Sequence, residues 1–334
     1  MSEKPNLLIN LPPTFFSHPS LRPEFDALRE VADVRERSHN AAGEILEDLK
    51  WADGVLMWAW PEFTPELLDE AGKLRYVGQI NSSRRTAETC LERDIPLSEV
   101  RHAWSPAVAE YAMALVLNGL RRVSDFHAAM RAGSEHWVAM AKFPEDIDMR
   151  ERELTGAAVG LIGFGGIGRR LGELLGPFHP ELRIYDPFVP AETMREYGGA
   201  KVELDELLEA SEVIVFCAAN TQEAKHMIGT ERLALIRPGA VVVNVARSML
   251  FDTEALLERL RKDDLTFLVD VFDEEPLPAD SEFRKLPNAY CSPHRAGGIV
   301  PSVRRSVQFL ANDFRAVLNG AARRYPITPE MLNS

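Results

Sequence analysis

Short, nearly unbroken apolar runs alternate with amphipathic stretches almost from end to end of this chain, and no other feature restricts its fold as much. "NLLINL", "GVLMWAW" and "LRYVGQI" read as strands, with "RPEFDALREVA", "AAGEILEDLKWA" and "TPELLDEAG" as helices around them. A strand that is apolar on both faces must be covered on both faces, so strands of this kind alternating with helices predict parallel α/β sheets. At 334 residues the chain is also too long for one ordinary core, which points to two such domains.

The pattern changes near Val100. "SPAVAEYAMALVLNGLRRVSDFHAAMRAG" reads as one long helical segment, with Ser105 as N-cap and Pro106 in the first turn. A second β/α series follows: "AAVGLIGF", "LRIYD", "EVIVFCA", "GAVVVNVA" and "LTFLVDVF". At the end of the chain Val303, Val307, Leu310, Phe314 and Val317 recur at helical spacing, and Asn319-Gly320 is a stop signal. The expected fold class is therefore α/β, with two doubly wound parallel-sheet domains, the second inserted into the first, and a cleft between them. Residues 1–102 plus 300–334 are expected to form a substrate domain, and 103–299 a dinucleotide-binding domain.

The second series opens on Gly163-Phe164-Gly165-Gly166-Ile167-Gly168, a G-x-G-x-x-G string. Glycine clusters of this kind are common, but here an apolar strand (Val159 to Ile162) precedes it and a helix face (Ile167, Leu171, Leu174) continues it. Gly163 permits a tight turn, Gly165 lets a pyrophosphate approach the helix N-terminus, and Gly168 allows close packing of helix on strand. Asp186 ends the next strand, where an acidic residue would bind a ribose 2′-hydroxyl and repel a 2′-phosphate. Pro187 and Phe188 supply no cation to offset it, so NAD is expected over NADP.

Three later strands end in unusual polar residues: Arg247 after "VVVNVA", Asp270, Asp273, Glu274 and Glu275 in "LVDVFDEEP", and His294 in "SPHRAGG". Strand C-termini face the ligand crevice of a doubly wound sheet. An arginine there can grip a carboxylate bidentately, and a histidine paired with a carboxylate can exchange a proton near neutral pH. Taken alone, His294 reads equally as proton donor, metal ligand or loop residue.

Net charge decides against several function classes. At −13, the chain disfavours nucleic acid and anionic membrane as partners. "MSEKPNLLIN" has no apolar h-region, and "VAEYAMALVLNGL" is too short to span a bilayer. Cys90, Cys217 and Cys291 lack CxxC spacing and fit reduced thiols in a cytoplasm. There is no HExxH motif and no metal is expected.

Together, "ELTGAAVGLIGFGGIGRRLG", "YDPF", "NTQEAKHMIGTERLALIRPGAVVVNVAR", "LVDVFDEEPLP" and "SPHRAGG" stand in one order that resembles the D-isomer-specific 2-hydroxyacid dehydrogenases. The resemblance covers most of the chain and is strongest from Glu153 to Gly298. It implies two flavodoxin/Rossmann-like domains, NAD(H) as cofactor, a small 2-keto or 2-hydroxy acid as substrate and a homodimer formed through the nucleotide domain. By the same resemblance Arg247 would bind the substrate carboxylate, His294 would be the general acid in reduction and Glu275 its partner. Asp270 would contact the nicotinamide carboxamide, and Ala246, Gly166, Ile167 and Gly297 would adjoin the cofactor.

The chain departs from the family pattern in places. Ser248 follows Arg247 where glycine is usual. "QINSSRR" stands where the family has a glycine-containing loop whose amides hold the substrate; Asn81 takes the glycine position, and asparagine tolerates the positive φ such a turn uses. Asn81 and Ser82 are thus candidate substrate contacts. Trp58 and Trp60 read either as core or as pocket lining; as pocket lining they would disfavour a phosphorylated substrate and suit a small or apolar 2-keto acid of the glyoxylate or hydroxypyruvate kind. Arg295 reads as an outward salt-bridge partner or a second anion contact. Formate dehydrogenases pair their histidine with glutamine, which Glu275 argues against. Phosphite dehydrogenase keeps the Arg–Glu–His set, and a NAD-sensing corepressor-like scaffold shares the fold; both remain as alternatives.

Overall fold

Every ladder between the strands is parallel. The computed structural model describes residues 4–81, 83–135, 150–218 and 223–332. The chain divides into two units, Met1–Trp104 with Gly298–Ser334, and Ser105–Gly297.

In the first unit β1 (Asn6–Asn10), β2 (Asp33–Arg37), β3 (Gly54–Met57), β4 (Tyr76–Gln79) and β5 (Leu97–Glu99) form one sheet in the order β2-β1-β3-β4-β5. The intervening helices are α1 (Pro13–Ser17), α2 (Arg22–Val31), α3 (Ala42–Trp51), α4 (Pro65–Glu70) and α5 (Arg84–Leu91). Side chains alternate across a strand, so each apolar run feeds two cores. Leu7, Ile9, Leu56 and Tyr76 meet Phe25 and Leu28 of α2 and the helix Val300–Leu318, which returns to this unit with Val303, Val307, Leu310 and Phe314. Leu8, Val55, Met57 and Val77 pack on the other face against Ile45 and Leu49 of α3 and Leu67 and Leu68 of α4. Asp313 of the returning helix accepts from Ser98 Oγ at 2.7 Å and from the Arg324 and Tyr325 amides at 2.8 and 3.0 Å, which ties the tail to β5.

The second unit holds β6 (Ala158–Ile162), β7 (Glu181–Tyr185), β8 (Gly199–Lys201), β9 (Val213–Phe216), β10 (Val241–Asn244), β11 (Thr266–Val269) and β12 (Ala289–Cys291). Their order is β12-β11-β10-β9-β6-β7-β8. Its helices are α6 (Ser105–Arg121), α7 (Val123–Ala132), α8 (Gly166–Leu175), α9 (Ala191–Arg195), α10 (Leu204–Ala210), α11 (Thr230–Leu235) and α12 (Thr253–Leu260). The chain runs outward from β6 to β8, then returns to β9 on the other side of β6. That reversal is the switch point at which open α/β sheets bind ligands beyond their strand C-termini.

The long helix expected from Ser105 to Gly133 is two helices. Arg122 adopts a left-handed conformation, φ 49°, and separates α6 from α7. Local polar bonds hold the break: Asn118 Oδ1 accepts the Ser124 N–H at 2.9 Å, and Arg122 pairs with Asp125, which also receives the Tyr290 hydroxyl at 2.6 Å. Periodicity of apolar residues continues through the break, so it gives no sign of it.

Candidate active site

The turn after β6 is shaped for a backbone that must come close to its neighbours. Gly163 has φ 92°, and a Cβ there would lie 2.5 Å from the Ala218 Cα. A Cβ on Gly168 would lie 2.4 Å from the Gly163 carbonyl oxygen, so only glycine lets α8 start so near β6. Gly165, the N-cap of α8, has nothing within 4 Å of where its Cβ would be. Gly165 is exposed and Gly166 and Ile167 are half-buried, so the first-turn amides of α8, which have no intrahelical acceptor, open toward solvent. This ten-residue helix therefore offers oriented N–H groups and its positive dipole end to an anion.

Asp186, just past β7, faces this turn. Its carboxylate accepts from the Phe164 amide at 2.7 Å and from the Phe188 and Val189 amides at 2.9 and 3.1 Å. It thus braces the glycine turn, a role the sequence reading missed. A carboxylate has about four lone-pair sites, so one acceptor position remains for a ribose hydroxyl. Pro187 and Phe188 carry no cation, but Lys201 on neighbouring β8 brings one to this end of the sheet, its Nζ reaching the Val189 carbonyl at 2.8 Å.

At the adjacent ends of β10 and β11, two buried polar side chains wrap the loops that follow them. Asn244 Oδ1 accepts the Ala246 N–H and its Nδ2 donates to the Arg247 carbonyl, both at 3.0 Å. Arg247 is exposed and its Nη1 donates to the Ala246 carbonyl at 2.7 Å. Asp270, 1% exposed, accepts from Ser292 Oγ at 2.6 Å and from the Arg295 and Ala296 amides at 2.9 and 2.8 Å. Its own amide donates to the Asn244 carbonyl at 3.1 Å, which couples the two wraps. Asn244 and Ser292 were not singled out from the sequence. The only signal for Asn244 was a polar residue closing an otherwise apolar strand.

His294 sits in the wrapped loop with φ 50° and Nδ1 2.7 Å from Glu275 Oε2. Glu275 Oε1 accepts the Phe272 amide at 2.9 Å. Burial pushes the Glu275 carboxyl up, but the hydrogen bond with His294, the Phe272 amide and the neighbouring His294 and Arg247 outweigh it and hold the group below its ordinary value. Glu275 is thus a carboxylate at neutral pH. It engages Nδ1 and leaves Nε2, on a side chain 53% exposed, as the nitrogen able to reach a reactant. Gly297, half-buried, directly follows the wrap's last amide, that of Ala296.

Other expected site residues fall elsewhere or behave differently. Asn81 is exposed and does not take a positive φ. Ser83 caps α5, its Oγ accepting the Thr86 amide and its own amide reaching Gln79 Oε1, both at 3.4 Å. Ser82 lies outside the described residues. Trp58 packs on the first unit's core between Phe15 and Trp104, at ring-centroid distances of 5.8 and 5.9 Å, while Trp60 is 39% exposed. Arg295 is exposed and has no carboxylate partner among the described residues; its amide is what ties it to the loop's hold. Among the described residues no group of three or more His, Cys, Asp or Glu is placed to hold a metal ion.

Residues 113–296, more than half of the chain, match the family model for the NAD-binding domain of D-isomer-specific 2-hydroxyacid dehydrogenases. The chain belongs to this family. A D-3-phosphoglycerate dehydrogenase from Methanocaldococcus jannaschii is 28% identical over 297 residues, 88% of this chain and 55% of that protein, so the chain spans about half of that relative's length. A glyoxylate reductase from Thermococcus onnurineus is 27% identical over 312 residues, 92% of each chain. A solved phosphoglycerate oxidoreductase from Rhizobium etli superposes with a TM-score of 0.80 at 24% identity, over 97% of this chain and 98% of that one. A D-lactate dehydrogenase with NAD+ from Lactobacillus jensenii gives 0.79 at 21%, over 97% and 99%. These two show the shared fold.

As a member of the 2-hydroxyacid dehydrogenases, the chain is an oxidoreductase acting between 2-hydroxy and 2-keto acids with NAD(H). The cradle fits that cofactor. Gly165 leaves room where a side chain would block a pyrophosphate, and the α8 amides point to that space.

Proposed function

We propose that this protein reduces a small 2-keto acid to the D-2-hydroxy acid with NADH. The observation that carries the reading is the His294–Glu275 pair, 2.7 Å apart, in the same unit as the glycine cradle and Arg247. When bound at Gly163, Gly165, Gly166, Ile167 and Gly168, NADH supplies the hydride. Arg247, exposed at the end of β10, grips the substrate carboxylate and draws electron density from the neighbouring carbonyl. His294, as the imidazolium that Glu275 supports and orients through Nδ1, gives the Nε2 proton to the carbonyl oxygen and becomes neutral; in the reverse direction the neutral ring takes that proton back. Asp186 favours NADH over NADPH by charge. Ala246, Asp270 and Gly297 would hold the nicotinamide end of the cofactor.

Asn81, Ser82, Trp58 and Trp60 of the first unit are kept as candidate substrate contacts on the family resemblance alone, with Trp58 packed on that unit's core. The exposed Trp60 face offers no cation for a phosphate, so we infer a substrate of the glyoxylate or hydroxypyruvate kind; the name of the Thermococcus relative supports this. We further infer a homodimer through the nucleotide-binding unit. Helix α7 has no buried residue, and Val123, Phe126 and Met130 present one exposed apolar face. The three free thiols suit a reducing cytoplasm, and among the described residues no helix is long and apolar enough to cross a membrane.

Steady-state NADH oxidation across a panel of 2-keto acids tests this. Glyoxylate, hydroxypyruvate or phenylpyruvate should turn over well. Faster reduction of 3-phosphohydroxypyruvate would reject the substrate class. NAD reduction by phosphite would replace it. Tight NADH binding with no turnover at all would favour a scaffold.

A further inference from the structure

The His294 loop is held from one point. Asp270 is almost fully buried, yet three donors reach its carboxylate, and they bracket His294: Ser292 two residues before it, Arg295 and Ala296 just after. Ser292 is itself anchored, its amide donating to the Val269 carbonyl at 2.9 Å, and its carbonyl accepts the His294 amide at 3.1 Å. His294 takes a left-handed φ that a non-glycine residue rarely adopts, and its side chain is 53% exposed, with Glu275 as its polar partner. The position of the imidazole relative to Glu275 is therefore a property of the backbone, and the backbone is set by the clamp.

We propose that Asp270 and Ser292 form a buried clamp whose task is to hold His294 in its left-handed conformation against Glu275, making both positioning residues for proton transfer. Asp270 then acts first through the loop, with at most one lone-pair position left for a cofactor amide. The proposal rests on the reading of His294 as proton donor, and the test separates the two.

Three variants decide it: Ser292→Ala removes one donor, Ser292→Thr restores the hydroxyl, and Asp270→Asn can turn an amide N–H toward the Ala296 N–H. Kinetics, NADH binding by fluorescence and a ¹³C NMR titration of the Glu275 carboxyl are measured for each. Glu275 faces His294, Arg247 and the Phe272 amide, so its titration reports whether His294 is in place. We expect Ser292→Ala to lower kcat on the order of ten- to a hundredfold, the loss that goes with about an ångström of misplacement. KM and NADH affinity should stay near the parent, and the Glu275 titration should move up toward its ordinary range. Ser292→Thr should recover both, and Asp270→Asn should show a larger loss. Parent values of kcat and of the Glu275 titration in Ser292→Ala would overturn the clamp. So would Asp270→Asn weakening NADH binding while Ser292→Ala changes nothing, since Asp270 would then work at the cofactor. If the parent reduces no 2-keto acid, the proton-donor reading fails, and the Glu275 titration still decides the clamp.

Discussion

Nδ1 of His294 lies 2.7 Å from Oε2 of Glu275, and the second oxygen of that carboxylate is occupied by the Phe272 amide. The carboxylate is thus fixed on one side and orients the ring on the other. Replacing His294 with alanine should cut kcat on the order of 10²- to 10⁴-fold, the usual worth of a positioned proton donor, and leave NADH affinity near the parent value. Glu275→Gln keeps the shape and removes the charge. Because the Glu275 carboxyl is held below its ordinary value, the pair is intact above the ordinary glutamate range and is lost as pH falls through the lowered value. The parent's kcat/KM should therefore hold into mildly acidic buffer, and Glu275→Gln should show no acid limb from this group. An unchanged pH profile in Glu275→Gln would remove Glu275 from the reaction.

Arg247 is exposed, and among the described residues its hydrogen bonds are that of its own Nη1 to the Ala246 carbonyl and the Asn244 wrap of its backbone, which leave most of the guanidinium to meet an incoming anion. Arg247→Gln should raise KM for every 2-keto acid, with a loss in kcat/KM of about 2 to 4 kcal/mol for a charged bidentate contact removed. Arg247→Lys should recover only part, because a point charge cannot reproduce the fork. Steady-state kinetics with one acid at fixed NADH reads both. Equal KM in parent and Arg247→Gln would move the carboxylate contact elsewhere.

Apolar strands are the most legible part of this chain, since a strand buried on both faces has no polar residue to disguise it. "VVVN" and "VIVF" were readable for that reason. The edge strand "DVRER" was not, because charged residues suit a sheet edge and erase the apolar signal. The short strands "GAK" and "AYC" are too brief for any period to show. At the site, the residue types of Arg247, Glu275 and His294 and their order were visible. The left-handed backbone at His294 was not, since nothing local to "SPHRAGG" fixes it; its cause is Asp270, twenty-four residues away in sequence. Asn81 shows the converse error. A residue able to adopt positive φ need not do so, and Asn81, three residues before α5, does not.

Gly163 gives the clearest test of the cradle. With φ 92° and a neighbouring backbone 2.5 Å from any Cβ, Gly163→Ala must both strain the turn and push β6 from the chain after β9. The cost should be at least about 2 kcal/mol, combining the left-handed penalty with the steric shift, and NADH binding should weaken with it. Gly165→Ala meets nothing in the protein, so it should keep the parent's melting temperature and lose NADH affinity alone. Thermal melts with and without NADH distinguish the two. Equal NADH affinity in Gly165→Ala and parent would show that nothing approaches that backbone.

Asp186 combines two tasks that substitution can separate. Its carboxylate braces the Phe164, Phe188 and Val189 amides and places a negative charge beside the ribose position. Asp186→Asn keeps an acceptor but removes the charge, so the ratio of kcat/KM for NADH over NADPH should fall by about tenfold, roughly 1.4 kcal/mol. Lys201 is ready to meet a 2′-phosphate once that charge is gone, and Asp186→Asn with Lys201→Ala should restore part of the preference. No change in the ratio would mean that cofactor choice is made by other residues.

Asp48 on α3 is buried and gathers Arg35 Nη1 at 3.0 Å, Arg37 Nε at 2.9 Å and His39 Nε2 at 3.0 Å around one carboxylate. Burial raises its pKa, but the hydrogen bonds with His39 and Arg35 and the charge and hydrogen bond of Arg37 more than offset that, and the net direction is down from 3.8. A group lowered on folding adds stability that is fully present above its unfolded pKa and is lost as pH falls through the folded one. The first unit should therefore lose stability in acid below about pH 4 partly through this residue. Asp48→Asn should cost about 1 to 3 kcal/mol at pH 7, the range for hydrogen bonds to charged groups, and the gap to the parent should shrink as pH approaches 3. Urea midpoints of parent and variant at pH 7 and pH 3 measure both. A gap that stays constant across that range would mean that Asp48 contributes through shape and neutral hydrogen bonding rather than charge.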